Sequence, residues 1–168
     1  MITCITNEFN SLDKYLRIIY YMDLFYVKCS CGRHGCLIRH GYYIRNLKIK
    51  GFKKAIKILR VYCKECHKTH AILPANIVPY SQISIEDQID IIINPNKALE
   101  DNFEISESDV YHIRNNYNKY FKERLIVLGL TIKDSIFNII SSCINNYNRG
   151  FMQIKLRCNL LHIITHIR

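Results

Sequence analysis

Two groups of cysteines carry the clearest chemistry in this sequence. The first lies in residues 29–36 and the second in residues 63–66, with 26 cysteine-free residues between them. Thiolates are preferred ligands of structural Zn²⁺, which takes four of them in a tetrahedron. A tight turn can present two sulfurs, and a β-hairpin can bring a second such turn beside it. The spacing therefore predicts a zinc ribbon with one structural Zn²⁺. The candidate ligands are Cys29, Cys31, Cys36, Cys63 and Cys66.

The two groups differ in how clearly their spacing identifies the zinc ligands. The second has the Cys-x-x-Cys spacing of a usual zinc knuckle. The first offers Cys29, Cys31 and Cys36 for two places. We expect Cys31 to be one ligand because Gly32 follows it and glycine tolerates the turn backbone. Its partner is either Cys29 or Cys36. The neighbouring histidines are further candidates: His34, His40, His67 and His70.

The residues around the cysteine groups predict the elements that position them. An apolar repeat at helical spacing after Ser11 predicts an N-terminal helix, and residues 24–28 predict a short strand. Residues 37–49 and 56–62 are rich in Ile, Leu and Tyr and predict two strands, with a turn at Gly51. Together they form the hairpin that a zinc ribbon requires.

Residues 81–168 change to a helical period. Ser84 and Ser106 are N-cap candidates, and the Asn-Pro pair at residues 94–95 ends the first of these helices. A helix, a short helix, a turn and a polar helix over about residues 84–120 are typical of a helix-turn-helix. A small helical bundle with a polar face would give the same pattern.

The sequence as a whole predicts an α+β protein, with a zinc ribbon followed by a helical region. We place the N-terminal helix and the ribbon in residues 1–80 and the helical region in residues 81–168. Thr131 with Asp134 predicts the start of a further helix. Residues 151–168 carry no functional prediction.

The net charge of +10 is unevenly distributed. Residues 28–70 hold twelve Lys or Arg and one acid, residues 71–109 hold one base and eight acids, and residues 110–168 hold nine bases and two acids. Lys and Arg clustered on a compact module indicate phosphate binding. A surface whose lysines serve only to keep the protein in solution would show the same composition. We expect double-stranded DNA as the partner.

Candidate DNA contacts come from both halves of the chain. Arg and Lys on the predicted hairpin could bind phosphates, while Asn and Arg on the helix after Ser106 could read base edges in the major groove. The candidates are Arg39, Arg45, Lys53, Lys54, Lys57, Arg114, Asn115 and Lys119.

Several classes of protein are not expected. No apolar run approaches the roughly 18 residues of a membrane span, and the first residues lack a signal-peptide pattern. The cysteines outside the two groups indicate reduced thiols, so we expect a cytoplasmic protein without a membrane partner. We also expect no small-molecule substrate.

Residues 26–80 resemble the N-terminal zinc-ribbon region of bacterial insertion-sequence transposases. They resemble more closely a family of short clostridial and bacillar proteins known only as a domain of unknown function. The resemblance lies in residues 37–45, LIRHGYYIR, in residues 60–74, RVYCKECHKTHAILP, and in residues 78–81, VPYS. In transposases, such a ribbon with a helix-turn-helix binds the terminal DNA of the element.

Two departures limit what the resemblance implies. The first knuckle usually reads Cys-x-x-Cys and here does not. The 88 residues after Tyr80 are too few for an RNase H-like core with its acidic triad in addition to the predicted helices. The resemblance therefore implies DNA binding and argues against strand transfer.

The sequence predicts a non-enzymatic, zinc-stabilised DNA-binding protein, a stand-alone relative or remnant of a transposase N-terminal region. One alternative is a thiol-redox protein that uses Cys63 and Cys66, but no thioredoxin-like βαβ pattern surrounds them. Another is a protein-interaction adaptor with a structural zinc site, whose acidic middle contacts a basic partner.

Overall fold

The described strands and one α-helix lie in the first half of the chain, and the second half is helical. A computed structural model describes residues 2–4, 12–74, 76–147 and 150–153. Its strands are β1 (Ile2–Cys4), β2 (Leu37–Ile49), β3 (Phe52–Cys63) and β4 (Thr69–Pro74). Its helices are α1 (Leu12–Tyr21), α2 (Ile85–Ile93), α3 (Pro95–Asp101), α4 (Glu107–Asn116), α5 (Lys122–Val127) and α6 (Ile136–Tyr147). The predicted α+β class is confirmed.

The hairpin of β2 and β3 is the longest feature of the sheet. Leu37 pairs with Cys63 at one end, and Ile49 pairs with Phe52 at the other. The two-residue turn between them has φ of 45° at Lys50 and 82° at Gly51. Positive φ at both positions suits the right-handed twist of the strands. The predicted turn at Gly51 is confirmed.

The sheet has the strand order β1-β4-β3-β2, with β4 antiparallel to β3 and β1 parallel to β4. Helix α1 packs on β3 and β4 through the buried side chain of Tyr15. Its hydroxyl donates to the carbonyl oxygen of Ile72 at 2.8 Å and accepts from the backbone N–H of Leu59 at 3.3 Å. The predicted N-terminal helix is confirmed.

The segment before the first cysteines is not the predicted strand. Residues Leu24–Tyr26 form a 3₁₀ helix. The carboxylate of Asp23 accepts a hydrogen bond from the N–H of Phe25 at 2.9 Å, which caps this tight turn. A local side-chain bond to the backbone therefore replaces the strand pairing that the apolar composition suggested.

The helical region begins where the serine caps predict. The side chain of Ser84 accepts from the N–H of Asp87, and that of Ser106 forms a capping box with Asp109. Helix α2 ends at Ile93 with Asn94 as its C-cap, and Pro95 begins α3. Helix α4 continues through a π-helical turn, Tyr117–Phe121, into α5.

Helix α6 begins later than predicted. Thr131 and Asp134 do form a capping contact, because the N–H and hydroxyl of Thr131 both donate to the Asp134 carboxylate. The helix itself starts at Ile136, where the Ser135 hydroxyl accepts from the N–H of Asn138. The two cap contacts follow one another in the chain, and the second begins the helix. Residues 154–168 of the tail lie outside the described residues.

The ribbon and the helical region contact each other closely. The Lys48 N–H donates to the Gln82 carbonyl oxygen at 2.7 Å, and Ile77, Val78 and Ile83 are buried in one continuous hydrophobic core. The division after residue 80 stays a prediction. Within the described part of the chain, no helix has the length and apolar composition to cross a membrane.

Candidate metal centre and the basic surface

The first knuckle, residues 29–36, is a turn held by its own backbone. The Cys29 N–H donates to the Arg33 carbonyl oxygen, and the Gly32 N–H donates to the Cys29 carbonyl oxygen, both at 2.9 Å. Gly32 has φ of 92°, which L side chains rarely adopt. This backbone brings the sulfurs of Cys29 and Cys31 to one side although only one residue separates them.

The second knuckle, residues 63–66, begins at the last residue of β3. The Cys63 N–H donates to the Lys68 carbonyl oxygen at 3.0 Å, and the Cys66 N–H points to the Cys63 sulfur at 3.4 Å. The Lys64 N–H donates to the carbonyl oxygen of Cys36 at 2.9 Å. This last bond ties the two knuckles together where the hairpin ends.

Four cysteine sulfurs meet between the knuckles. Those of Cys29, Cys31, Cys63 and Cys66 all lie within 4.8 Å of one another. The Cys29 sulfur is 3.8 Å from that of Cys66, and the Cys31 sulfur is 3.9 Å from that of Cys63. A tetrahedral ion with metal–sulfur bonds of about 2.3 Å separates its sulfurs by about 3.8 Å. The four cysteines therefore lie close enough together to bind a metal ion.

This group of four sulfurs bears on which two cysteines of the first knuckle are ligands, a question that the sequence leaves open. Cys29 and Cys31 belong to the group of four, and Cys36 does not. The buried sulfur of Cys36 instead lies 3.5 Å from the Arg33 carbonyl oxygen. Of the five predicted candidates, the structure therefore brings four together and leaves Cys36 beside them.

Two thiols of the group differ sharply in acidity. Burial opposes ionisation of Cys63, but the N–H groups of Cys66 and Glu65 outweigh it and lower the pKa of Cys63 to about 6. Burial and the neighbouring Cys63 raise the pKa of Cys66 to about 11. A metal ion that binds at neutral pH must therefore displace the proton of Cys66.

His70 lies beside the sulfur cluster. It comes from β4 and is buried, with Nε2 3.5 Å from the Cys29 sulfur and 3.8 Å from the Cys66 sulfur. Burial lowers the pKa of His70, so the imidazole is neutral at physiological pH. In the tautomer protonated at Nε2, it donates a hydrogen bond toward Cys29. Such outer contacts orient metal-binding thiolates.

Both hairpin arginines among the predicted DNA contacts bind backbone carbonyls. Nη2 of Arg39 donates to the carbonyl oxygens of Tyr20 and Met22, each at 3.1 Å. Nη2 of Arg45 donates to the carbonyl oxygens of Val78, at 2.9 Å, and Ser81. These side chains hold α1 and residues 78–81 against the hairpin, and their contact with DNA stays a prediction.

Lysines near the tip of the hairpin form ion pairs with the acidic segment, residues 71–109. The pairs are Lys48 with Asp109 at 2.9 Å, Lys50 with Glu86 at 3.6 Å, and Lys53 with Glu104 at 2.8 Å. Lys53, a predicted DNA contact, is thus partly neutralised. The tip of the hairpin is therefore less positive than its sequence suggests.

The other predicted contacts are exposed. Lys57 lies over the ring of Tyr42, with Nζ 4.4 Å from the centroid, and Lys54 makes no ion pair with any residue that the structure describes. Arg114 and Asn115 of α4 and Lys119 of the π-helical turn that follows it are also open to solvent. Their role in binding stays a prediction.

Residues 29–112 match the family described as domain of unknown function DUF6431, which is half of the chain. The chain belongs to this family. The DUF6431 match begins at the first cysteine of the candidate metal centre and ends within α4, so it includes both knuckles, the hairpin, α2 and α3. No curated protein and no solved structure matches the chain. The resemblance to transposases stays a prediction.

Proposed function

We propose that this protein binds double-stranded DNA through a ribbon that a structural Zn²⁺ holds together. One observation carries the proposal: the four clustered cysteines join the ends of a hairpin region that has twelve basic residues and one acidic residue in positions 28–70. The lysines and arginines of such a surface neutralise DNA phosphates and release the counterions condensed on them, which favours binding. We also propose that the protein is a stand-alone relative or a remnant of a transposase N-terminal region.

Zinc is the ion that the donor set favours. Four thiolates at tetrahedral distances suit Zn²⁺ better than harder cations such as Mg²⁺ or Ca²⁺, which prefer oxygen ligands. Four protein ligands also leave no open coordination position for a water or a substrate. We therefore propose a structural role for the ion and a protein that is not an enzyme.

The proposed phosphate-binding surface consists of basic ribbon residues other than the ion-paired lysines at the hairpin tip, Lys48, Lys50 and Lys53. Its basic side chains are exposed and form no ion pair with a described acidic residue. Three of them lie on β3, and the other three lie in or beside the two knuckles, where the metal centre would position them. These residues are Lys28, Lys54, Lys57, Arg60, Lys64 and Lys68.

Sequence preference would come from α4. Helices α2, α3 and α4 follow one another in the order that a helix-turn-helix uses, and α2 contacts α4. Val110 and Ile113 of α4 are buried, while Arg114 and Asn115 are exposed. Arginine and asparagine can read guanine and adenine edges in the major groove.

Duplex binding at several salt concentrations tests the proposal. Replacement of Lys54, Lys57 and Lys64 by Ala should weaken binding to every duplex. It should also reduce the salt slope by about 0.9 for each lysine that contacts a phosphate. The control is the matched triple replacement of Lys97, Lys122 and Lys133 by Ala. These lysines are exposed and lie outside the ribbon, and the variant loses the same net charge.

Two results would contradict the proposal. One is an equal loss of affinity in both triple variants, which would show that only net charge matters. The other is a wild type that retains zinc and binds no duplex. The second result would favour the adaptor, because Asp90, Glu100, Asp101 and Glu107 remain exposed on the acidic segment for a basic partner.

A further inference from the structure

Four aromatic side chains just before the first knuckle are exposed to solvent. Tyr20 is 71% exposed, Tyr21 81%, Phe25 63% and Tyr26 75%. The rings form two edge-to-face pairs, with centroids 4.9 Å apart for Tyr20 and Tyr21 and 5.4 Å apart for Phe25 and Tyr26. Single exposed aromatic residues are common, but four within seven residues indicate an interaction site. We call these four residues the aromatic platform.

The platform is fixed to the ribbon by its backbone. The carbonyl oxygen of Phe25 accepts from the N–H of Gly35 at 3.0 Å, and the carbonyl oxygen of Tyr26 lies 3.2 Å from Nδ1 of His34. Arg39 of β2 holds the carbonyl oxygen of Tyr20. These bonds attach the backbone of the platform to the first knuckle and to β2.

Gly35 allows this attachment to be close. A Cβ at residue 35 would lie 3.1 Å from the ring of Phe25, and the φ of 69° at Gly35 is unfavourable for other residues. The aromatic ring therefore packs directly over the knuckle backbone, and its other face remains open.

The charge around the platform favours a polyanion. Lys28, two residues after Tyr26, is exposed, and the Arg39 guanidinium binds the carbonyl oxygens of Tyr20 and Met22 at the platform. Of the nearby acids, Asp23 caps the 3₁₀ helix and Glu65 forms an ion pair with Arg33. Aromatic rings beside such cations can stack on bases while the cations bind the adjoining phosphates. In duplex DNA the base faces are covered by neighbouring pairs, so the rings require unpaired bases.

We infer that the aromatic platform binds single-stranded DNA, by stacking unpaired bases on Tyr20, Tyr21, Phe25 and Tyr26. The inference rests on the proposed DNA-binding function and deepens it. The protein would hold a duplex on its basic surface and a melted or single-stranded segment on the platform next to the first knuckle.

Fluorescence anisotropy with labelled oligothymidine and with a labelled duplex of equal length tests this. In the double variant Tyr21→Ala with Tyr26→Ala, affinity for oligothymidine should fall by about 10- to 100-fold, and affinity for the duplex by less than about threefold. Tyr21→Phe with Tyr26→Phe should keep wild-type affinity, since the stacking face is unchanged. Phe103→Ala is the control, because Phe103 is 94% exposed but lies in the acidic segment.

The outcomes separate this inference from the function on which it rests. Equal losses on both DNA forms, or no binding of oligothymidine by a wild type that binds duplex, would overturn the inference and leave the proposed function intact. Binding of oligothymidine without duplex would support the inference and overturn the duplex proposal. Adsorption to anionic lipid vesicles with no binding of either DNA would overturn both. Zinc content and circular dichroism verify that each variant is folded.

Discussion

Replacement of the three cysteines of the first knuckle, one at a time by Ser, gives the sharpest prediction about the metal centre. Cys29 and Cys31 lie in the group of four sulfurs, and Cys36 lies outside it. Structural zinc sites contribute about 10–16 kcal/mol of binding free energy. If four ligands share this equally, loss of one costs about 2.5–4 kcal/mol, which weakens zinc binding roughly 70- to 900-fold.

The assay is competition for zinc against a chromophoric chelator under reducing conditions. Cys29→Ser and Cys31→Ser should each show the calculated loss, and Cys36→Ser should stay within about threefold of wild type. Cys36 is buried, so Cys36→Ala serves as a second variant in case the hydroxyl destabilises the fold. The assignment is refuted if Cys36→Ser and Cys36→Ala lose as much affinity as Cys31→Ser, or if Cys31→Ser binds zinc normally.

Three further predictions follow from single contacts. His70→Ala should weaken zinc binding by about 10- to 100-fold without loss of stoichiometry, because outer contacts orient the thiolates, and the same chelator competition measures it. Gly51→Ala should lower the free energy of unfolding by about 1–2 kcal/mol, since its φ is 82°, and denaturant unfolding would reveal it. Asp109→Asn should cost about 1–2 kcal/mol by weakening the α4 cap and removing the pair with Lys48. Burial opposes ionisation of Asp109, but the Ser106 N–H and Lys48 outweigh it, so the pKa of Asp109 is lowered. The greater stability of the wild type over Asp109→Asn is therefore present above about pH 4 and should shrink as the pH falls below it. A stability difference that does not change with pH would contradict this assignment.

Features that depend on neighbouring residues could be predicted from the sequence. The hairpin turn follows from Gly51, because glycine accepts the positive φ that a two-residue turn requires. The starts of α2 and α4 follow from Ser84 and Ser106, whose side chains bond to backbone N–H groups three residues ahead. The second knuckle follows from its Cys-x-x-Cys spacing.

Features that depend on distant partners could not be predicted in this way. Arg45 holds carbonyl oxygens more than thirty residues away, and Lys53 of β3 pairs with Glu104, which follows α3 in the chain. No local pattern distinguishes such a basic side chain from one that is free to bind DNA. Whether Cys29 or Cys36 is the second ligand of the first knuckle likewise depends on the backbone conformation of one turn. The spacing of the three cysteines does not determine that conformation.

The metal content of the purified protein tests the central claim most directly. Elemental analysis of protein prepared under reducing conditions, without added metal, should give one zinc per chain. Removal of that zinc by a chelator should unfold the ribbon, since its binding free energy is largely folding free energy. A folded protein that contains no metal would contradict the account.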